Sequence, residues 1–546
     1  MVRSFVAFGL GLLNTALKRN RFDFRDPAVM ARLETMVVVV GNTLYSKNAS
    51  VLTMGMRCAT GLSKCPLKGI ERSIPVIICQ ILDTLKQIGS TESELSQVAL
   101  NSLAIIFRDG PTVQVKEKDL VYLLELISPD LEEPSRQASV FTLLRAIVAR
   151  KFVVPEIYDL MEKVSEVSVT SQSPQVQELC RGVLLQFLLD YPHGKGRLRN
   201  QMTFFVKNLS YVYETGRTSI MELLSAIILK FQAPLLQEYA ELLFVAFVMV
   251  IGNDESAKCR EMAAGLIKNM WTRLEEERRK VLLSHLHSWV AQTSQPLLTW
   301  VATQVYGFVV DVALSECSPY VSGIVDDLKT SLQRSATLFA AQDDDNKDGL
   351  AWQLPYHSLT VISKVLRVFP RLIQDERLEW NHITEHLLFP HAWVRTAACR
   401  LVGQLFSAIP VALPSSDLQD DNPLSRTGMR DVAGKLVQQL KSEHLDAALG
   451  LQVVKNLFYI GKCFCLIEYD KVGDEAEDAL EDLNVDEEPP AMKKKDSNNL
   501  AHPLPWLFST LSYQIRSAHI SRRRRAAVKV ILLEKSLYAE LLLTSI

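Results

Sequence analysis

An apolar stripe at offsets 0, 3, 4, 7, 8 and 11 recurs along this chain, and no other feature limits its fold more. In the run VRTAACRLVGQLFSAI it is carried by Val394, Ala397, Ala398, Leu401, Val402 and Leu405, and Ile409 continues it. That spacing puts the apolar side chains on one face of a helix with 3.6 residues per turn. Arg395, Arg400 and Gln404 lie off the stripe. The offsets return at Val51, Met54, Gly55, Cys58, Ala59 and Leu62, and again from Val176, Ile220, Cys259 and Leu298. Fainter copies begin near Leu95, where Ser102 interrupts, and near Val140, Leu359 and Leu449.

From Val51 to Leu298 the stripes start about every 41 residues, inside the period of HEAT and armadillo arrays. Pro66, Pro111, Pro155, Pro192, Pro234, Pro370 and Pro410 stand just past apolar helices, where proline removes a donor and ends the helix. A single helix pair cannot bury its own face, whereas stacked pairs bury a continuous one. The expected fold is therefore an all-α, HEAT/armadillo-type α-solenoid of antiparallel helix pairs. It should occupy residues 1–470, with loop insertions near 341–355 and 410–428. An acidic disordered linker is expected over 471–499, and a C-terminal helical segment with an arginine block over 500–546.

The chain has 546 residues, 48% apolar and 22% charged, which suits a folded soluble protein too long for one compact core. Its formal net charge of −2 makes any nucleic-acid contact a local matter. The one β-like run, Met36 to Val40, is flanked by helical patterns and is expected inside a buried helix. Nine cysteines are scattered singly, mostly on the stripes, as small buried side chains in a reducing compartment. Cys463 and Cys465 lack a second Cys or His pair at zinc spacing. The apolar run Leu242 to Ile251 is half the length of a bilayer crossing and is read as a core helix. The apolar N-terminus is read as the first solenoid helix rather than a secretory signal.

His382, Glu385 and His386 match the HxxEH pattern, in which two histidines one turn apart bind zinc and the glutamate acts as base. Nothing downstream is built to supply a third ligand, so these residues are read as the solvent side of a first helix. Asp344, Asn346, Asp348 and Gly349 imitate the opening of a calcium loop, but its twelfth position is Pro355 instead of a bidentate glutamate. No catalytic, cofactor or metal residue is assigned. The better candidates are basic. Lys195, Arg197 and Arg199 are expected grouped in the turn after the helix that ends in Leu189, available to phosphates. Arg522, Arg523, Arg524 and Arg525 offer the same contacts or a nuclear-import signal, with Lys493 to Lys495 upstream. Arg278, Arg279 and Lys280 follow three glutamates and should be neutralised locally.

Several long segments carry a family resemblance. LLDYPHGKGRLRNQMTFFVKNLSYVYETGRTSIMELLSAII, FPHAWVRTAACRLVGQLF and LPWLFSTLSYQIRSAHISRRRR are similar to the C-terminal region of the DRIM (down-regulated in metastasis) family. These are the very large U-three small nucleolar RNA-associated HEAT-repeat proteins of the small-subunit processome, and the similarity runs through nearly all of residues 1–525. The resemblance implies a non-enzymatic nucleolar scaffold needed for processing of precursor ribosomal RNA. Its implied partners are other processome proteins and precursor ribosomal or small nucleolar RNA, with no membrane and no small-molecule substrate. A nuclear transport receptor is the alternative reading of such an array, and a zinc peptidase through HxxEH the third. A transport receptor needs a strongly acidic inner surface, whereas the acidic residues here gather at 343–348 and 474–488.

Overall fold

The computed structural model describes residues 2–19, 21–110, 113–341, 351–375, 377–408, 426–440, 445, 447–468, 507 and 511. Among the described residues every regular element is helical and there is no strand. The chain divides into two compact units, residues 1–270 and 271–546.

The first unit contains α1 (Val2–Lys18), α2 (Pro27–Thr43), α3 (Ala49–Leu62), α4 (Lys68–Ile88), α5 (Glu94–Asp109), α6 (Glu117–Ile127), α7 (Gln137–Ala149), α8 (Pro155–Thr170), α9 (Pro174–Asp190), α10 (Gly194–Lys207), α11 (Glu214–Lys230), α12 (Ala233–Asn253) and most of α13 (Ala257–Arg273). Its odd-numbered helices stack in one layer, α1 on α3 and so on to α9 on α11. In the other layer α2 packs on α4, α6 on α8 and α10 on α12. This is the two-layer helix-pair stack expected of a HEAT/armadillo solenoid. The stripes are the odd helices. Ile220, Leu223, Leu224, Ile227 and Ile228 of α11 are all fully buried, as are Cys259, Ala263 and Met270 of α13.

Local chemistry sets the helix starts. Asp26 accepts from the Ala28 amide at 2.8 Å, Asn48 from Val51 at 3.2 Å and Ser93 from Ser96 at 3.1 Å, each satisfying an amide with no partner inside its helix. Pro155 and Pro234, expected as helix stops, also stand in the first turns of α8 and α12, where a missing N–H costs nothing.

A second repeating device is not evident in the sequence. In α5, α7, α9, α11, α13 and the helix Ala392–Ala408, one side chain near the helix start reaches back six residues to a carbonyl in the preceding bend. Gln97 donates to Thr91 O at 2.7 Å, Gln137 to Leu131 O at 2.7 Å, Gln177 to Ser171 O at 2.8 Å and Arg217 to Tyr211 O at 2.8 Å. Arg260 and Arg395 repeat the contact on Asp254 O and Phe389 O. Each gives a bend carbonyl a side-chain donor and so fastens the bend to the helix that follows.

The Met36–Val40 run is helical, but the expectation that it is buried holds only for Val37 and Val40. Met36, Val38 and Val39 are exposed, because a two-layer stack covers only one face of α2. By length and composition α12 could cross a membrane, and 56% of its apolar window is buried within the fold. The described cysteines other than Cys79 are buried free thiols. Burial pushes Cys58 up to about 11 and Cys180 and Cys399 up to about 12, which keeps them protonated and unreactive.

The second unit contains α14 (Glu276–Ala291), α15 (Pro296–Ala313), α16 (Val321–Ala341), α17 (Gln353–Val368), α18 (Trp380–Glu385), α19 (Ala392–Ala408), α20 (Arg426–Gln439) and α21 (Ala447–Glu468). Here α15 packs on α17, α17 on α19 and α19 on α21. Val394, Ala398, Leu401, Val402 and Leu405 are fully buried, as the stripe requires. Pro355 is buried in the first turn of α17. Residues 342–350, with Asp344, Asn346, Asp348 and Gly349, lie outside the described residues. So do residues 409–425, the linker at 471–499 with Lys493 to Lys495, the side chains of Cys463 and Cys465, and 500–546 apart from Leu507 and Leu511.

Candidate functional site

The basic segment begins in a bend built from aromatic rings. Phe187 at the end of α9 meets Tyr191 with ring centroids 4.8 Å apart and His193 edge-on at 4.8 Å, and Tyr158 of α8 at 5.4 Å. Tyr158 donates to Pro192 O at 2.8 Å, and Tyr191 to Phe152 O at 3.0 Å. Burial lowers the His193 pKa, so the ring is an uncharged part of the bend and adds nothing to the basic patch. Gly194 has φ +56°, a conformation that favours glycine, and turns the chain straight into α10.

The cations therefore stand in the first two turns of a helix, not in the turn before it. This changes how they group. Positions 195 and 199 are one helical turn apart, whereas 197 faces away from them. The Arg197 guanidinium lies 4.2 Å from the centre of the Tyr158 ring, close enough for a cation–π contact. Arg199 is exposed. Neither arginine has a carboxylate partner among the described residues. The side chain of Lys195 lies outside the described residues, as do Arg522, Arg523, Arg524 and Arg525. What the structure presents is two unneutralised guanidiniums near the positive end of a helix, pointing in different directions. By contrast, Lys280 pairs with Glu276 and Glu277 at 3.0 and 2.9 Å, the local neutralisation expected, whereas Arg279 pairs with the distant Glu316 at 3.3 Å.

HxxEH does not form a metal centre. Helix α18 is only six residues long and gives way to a tight 3-10 turn, His386–Leu388. His386 is fully buried rather than on the solvent side. Its Nδ1 lies 2.7 Å from His382 O and its Nε2 3.1 Å from Ser335 Oγ, so both ring nitrogens are engaged. His382 turns instead to Glu379 at 2.8 Å and Glu385 at 3.5 Å. No group of three or more potential metal ligands occurs among the described residues.

One feature lies outside the expectations drawn from sequence. Trp352, at the start of α17, stacks on His391 with centroids 4.4 Å apart and planes 9° apart, and meets Trp393 edge-on at 4.9 Å. Tyr356 lies 5.9 Å from Trp393. Tyr356 and Trp393 line a pocket of about 370 Å³ between α17, α19 and the start of α21, which Arg367 and Arg400 also line. A signal for it exists in the sequence. Tyr356, Thr360, Ser363 and Arg367 fall at helical offsets 0, 4, 7 and 11, and Trp393, Thr396, Ala397 and Arg400 at 0, 3, 4 and 7.

No protein-family model matches the chain. It is 31% identical over 437 residues to the U3 small nucleolar RNA-associated protein 20 of Schizosaccharomyces pombe, an alignment covering 79% of this chain and 17% of that protein. The Saccharomyces cerevisiae protein of the same name is 28% identical over 467 residues, covering 83% and 17%. The chain thus spans about a sixth of the length of the curated relatives it matches. Similar solved structures include the karyopherin Kap121p, with TM-score 0.45 at 14% identity over 99% of this chain and 51% of that one. Yeast importin-beta has TM-score 0.40 at 12% identity over 90% and 58%.

Proposed function

We propose that this chain, a relative of the U3 small nucleolar RNA-associated proteins of two yeasts, is a scaffold segment of the small-subunit processome. In that role it supports processing of precursor ribosomal RNA in the nucleolus. The observation that carries the reading is the collinear similarity over 79% of the chain, far longer than any single motif. The architecture supports a scaffold. Stacked pairs present an extended surface to several partners at once, and each pair depends only on its neighbours. The buried, protonated thiols and the diverging histidines of HxxEH support a non-enzymatic role.

Processome proteins and precursor ribosomal or small nucleolar RNA are the proposed partners. Lys195, Arg197, Arg199 and Arg522 to Arg525 are the proposed phosphate contacts, which position RNA without reading its sequence. The test is gradient sedimentation of the tagged chain from cells. Co-migration with pre-ribosomal particles supports the proposal. Migration wholly as free protein, with native particles intact in the same gradient, overturns it.

A further inference from the structure

We infer that the pocket between α17 and α19 is a stacking site for an unpaired base of single-stranded RNA, with Trp393 as the platform and Arg367 and Arg400 as the phosphate contacts. Three observations converge on it. Trp393 is 56% exposed, a large apolar area to leave in water, yet its surroundings hold it in place. Its amide lies 3.3 Å from His391 Nδ1, Trp352 packs against it edge-on, and Tyr356 closes one side. A ring restrained in this way loses little further freedom when a base stacks on it.

The charge of the pocket points the same way. Arg367 and Arg400 are exposed, and neither is paired with a carboxylate among the described residues. Among the described residues no Asp or Glu lines the pocket, so no described carboxylate opposes the two guanidiniums there. Aromatic faces interleaved with cations are the recognition chemistry of single-stranded nucleic acid: a π-face for the base and a guanidinium for the adjoining phosphate. A volume of about 370 Å³ suits one extruded base with its sugar, and excludes a duplex, whose bases are hidden. An acidic protein segment satisfies the arginines but leaves the tryptophan face uncovered. The choice of RNA rests on the processome reading, whereas the pocket stands on its own geometry.

The experiment measures binding of fluorescein-labelled oligouridylate to the purified full chain by anisotropy, with a labelled RNA duplex of equal length as comparison. Trp393→Ala should weaken single-strand binding about tenfold, the effect of losing one stacked base, and Trp393→Phe should restore most of it. Arg400→Glu should weaken binding and flatten its salt dependence. Duplex binding should be unchanged by Trp393→Ala. Thermal unfolding at the wild-type temperature confirms that each variant folds. Equal affinity of wild type and Trp393→Ala overturns the inference, as does an equal loss for duplex, absence of any oligouridylate binding, or oligoglutamate displacing the RNA at lower concentration than unlabelled oligouridylate. Any of these outcomes leaves co-migration with pre-ribosomal particles free to succeed, so the two readings fail separately.

Discussion

Arg217 and Asp254 tie one helix pair to the next: Nη2 donates to Oδ1 at 3.0 Å and Nε stands 2.8 Å from Oδ2. The side chains are only 13% and 4% exposed. Arg217 also donates to the Tyr211 and Val212 carbonyls, and Asp254 accepts from the Ser256 amide at 2.8 Å. The Asp254 carbonyl is in turn taken by Arg260. Two bends are thus fastened through a single pair of residues.

Removing Arg217 leaves a buried carboxylate and two bend carbonyls without their donor. Arg217→Ala should therefore lower stability by about 3–5 kcal/mol, the cost of breaking a buried pair. Urea denaturation checks this. Lys280→Ala, which breaks only two exposed ion pairs, should leave the midpoint unchanged.

The stripes predict burial position by position. Val394 is fully buried, so Val394→Asp should cost several kcal/mol, about 3 or more, through an unpaired buried charge. Val38 is 62% exposed despite its place in the apolar run, and Val38→Asp should change stability by less than about 0.5 kcal/mol. The same denaturation experiment separates them.

Stability should also fall in mild acid. His357 stacks on Trp300 at 5.5 Å, and burial, helped by the nearby Lys364 charge, lowers its pKa to about 4. The unfolded chain has an ordinary histidine near 6.5 and binds the proton first. Stability is therefore complete above about pH 6.5 and declines as pH drops toward 4, by up to about 3 kcal/mol from this residue. His357→Phe should remove that part of the slope between pH 6.5 and 4, as read from unfolding midpoints.

How much of this is legible in sequence follows from the physics of each feature. The stripe from Val394 can be read because burial in a stacked helix is periodic, and period survives in a string of letters. The Arg217–Asp254 tie is hidden because its partners are 37 residues apart and their chemistry appears only when two bends are brought together. Lys195, Arg197 and Arg199 stand out as a cluster, but their grouping does not, because the helix begins at Gly194 and turns alternate side chains apart. A regular helix would place His386 toward solvent. The tight turn that follows Glu385 instead carries it against Ser335.

The basic segment yields a prediction on RNA. Reversing Arg197 and Arg199 together should weaken single-stranded RNA binding and flatten the slope of log affinity against log salt by about 0.7 for each phosphate that is no longer neutralised. A salt titration of the double variant checks it, with Arg279→Glu, whose guanidinium is already paired with Glu316, as a variant expected to change the slope less.

The proposed role of this chain is that of a scaffold segment in small-subunit assembly. Its most direct test is purification of the tagged chain from cells, with sequencing of the RNA and identification of the proteins that come with it. Enrichment of precursor ribosomal RNA, U3 small nucleolar RNA and processome proteins over an untagged control is the expected result. Recovery of a Ran-type GTPase with transport cargo, and no enrichment of those RNAs, would contradict it.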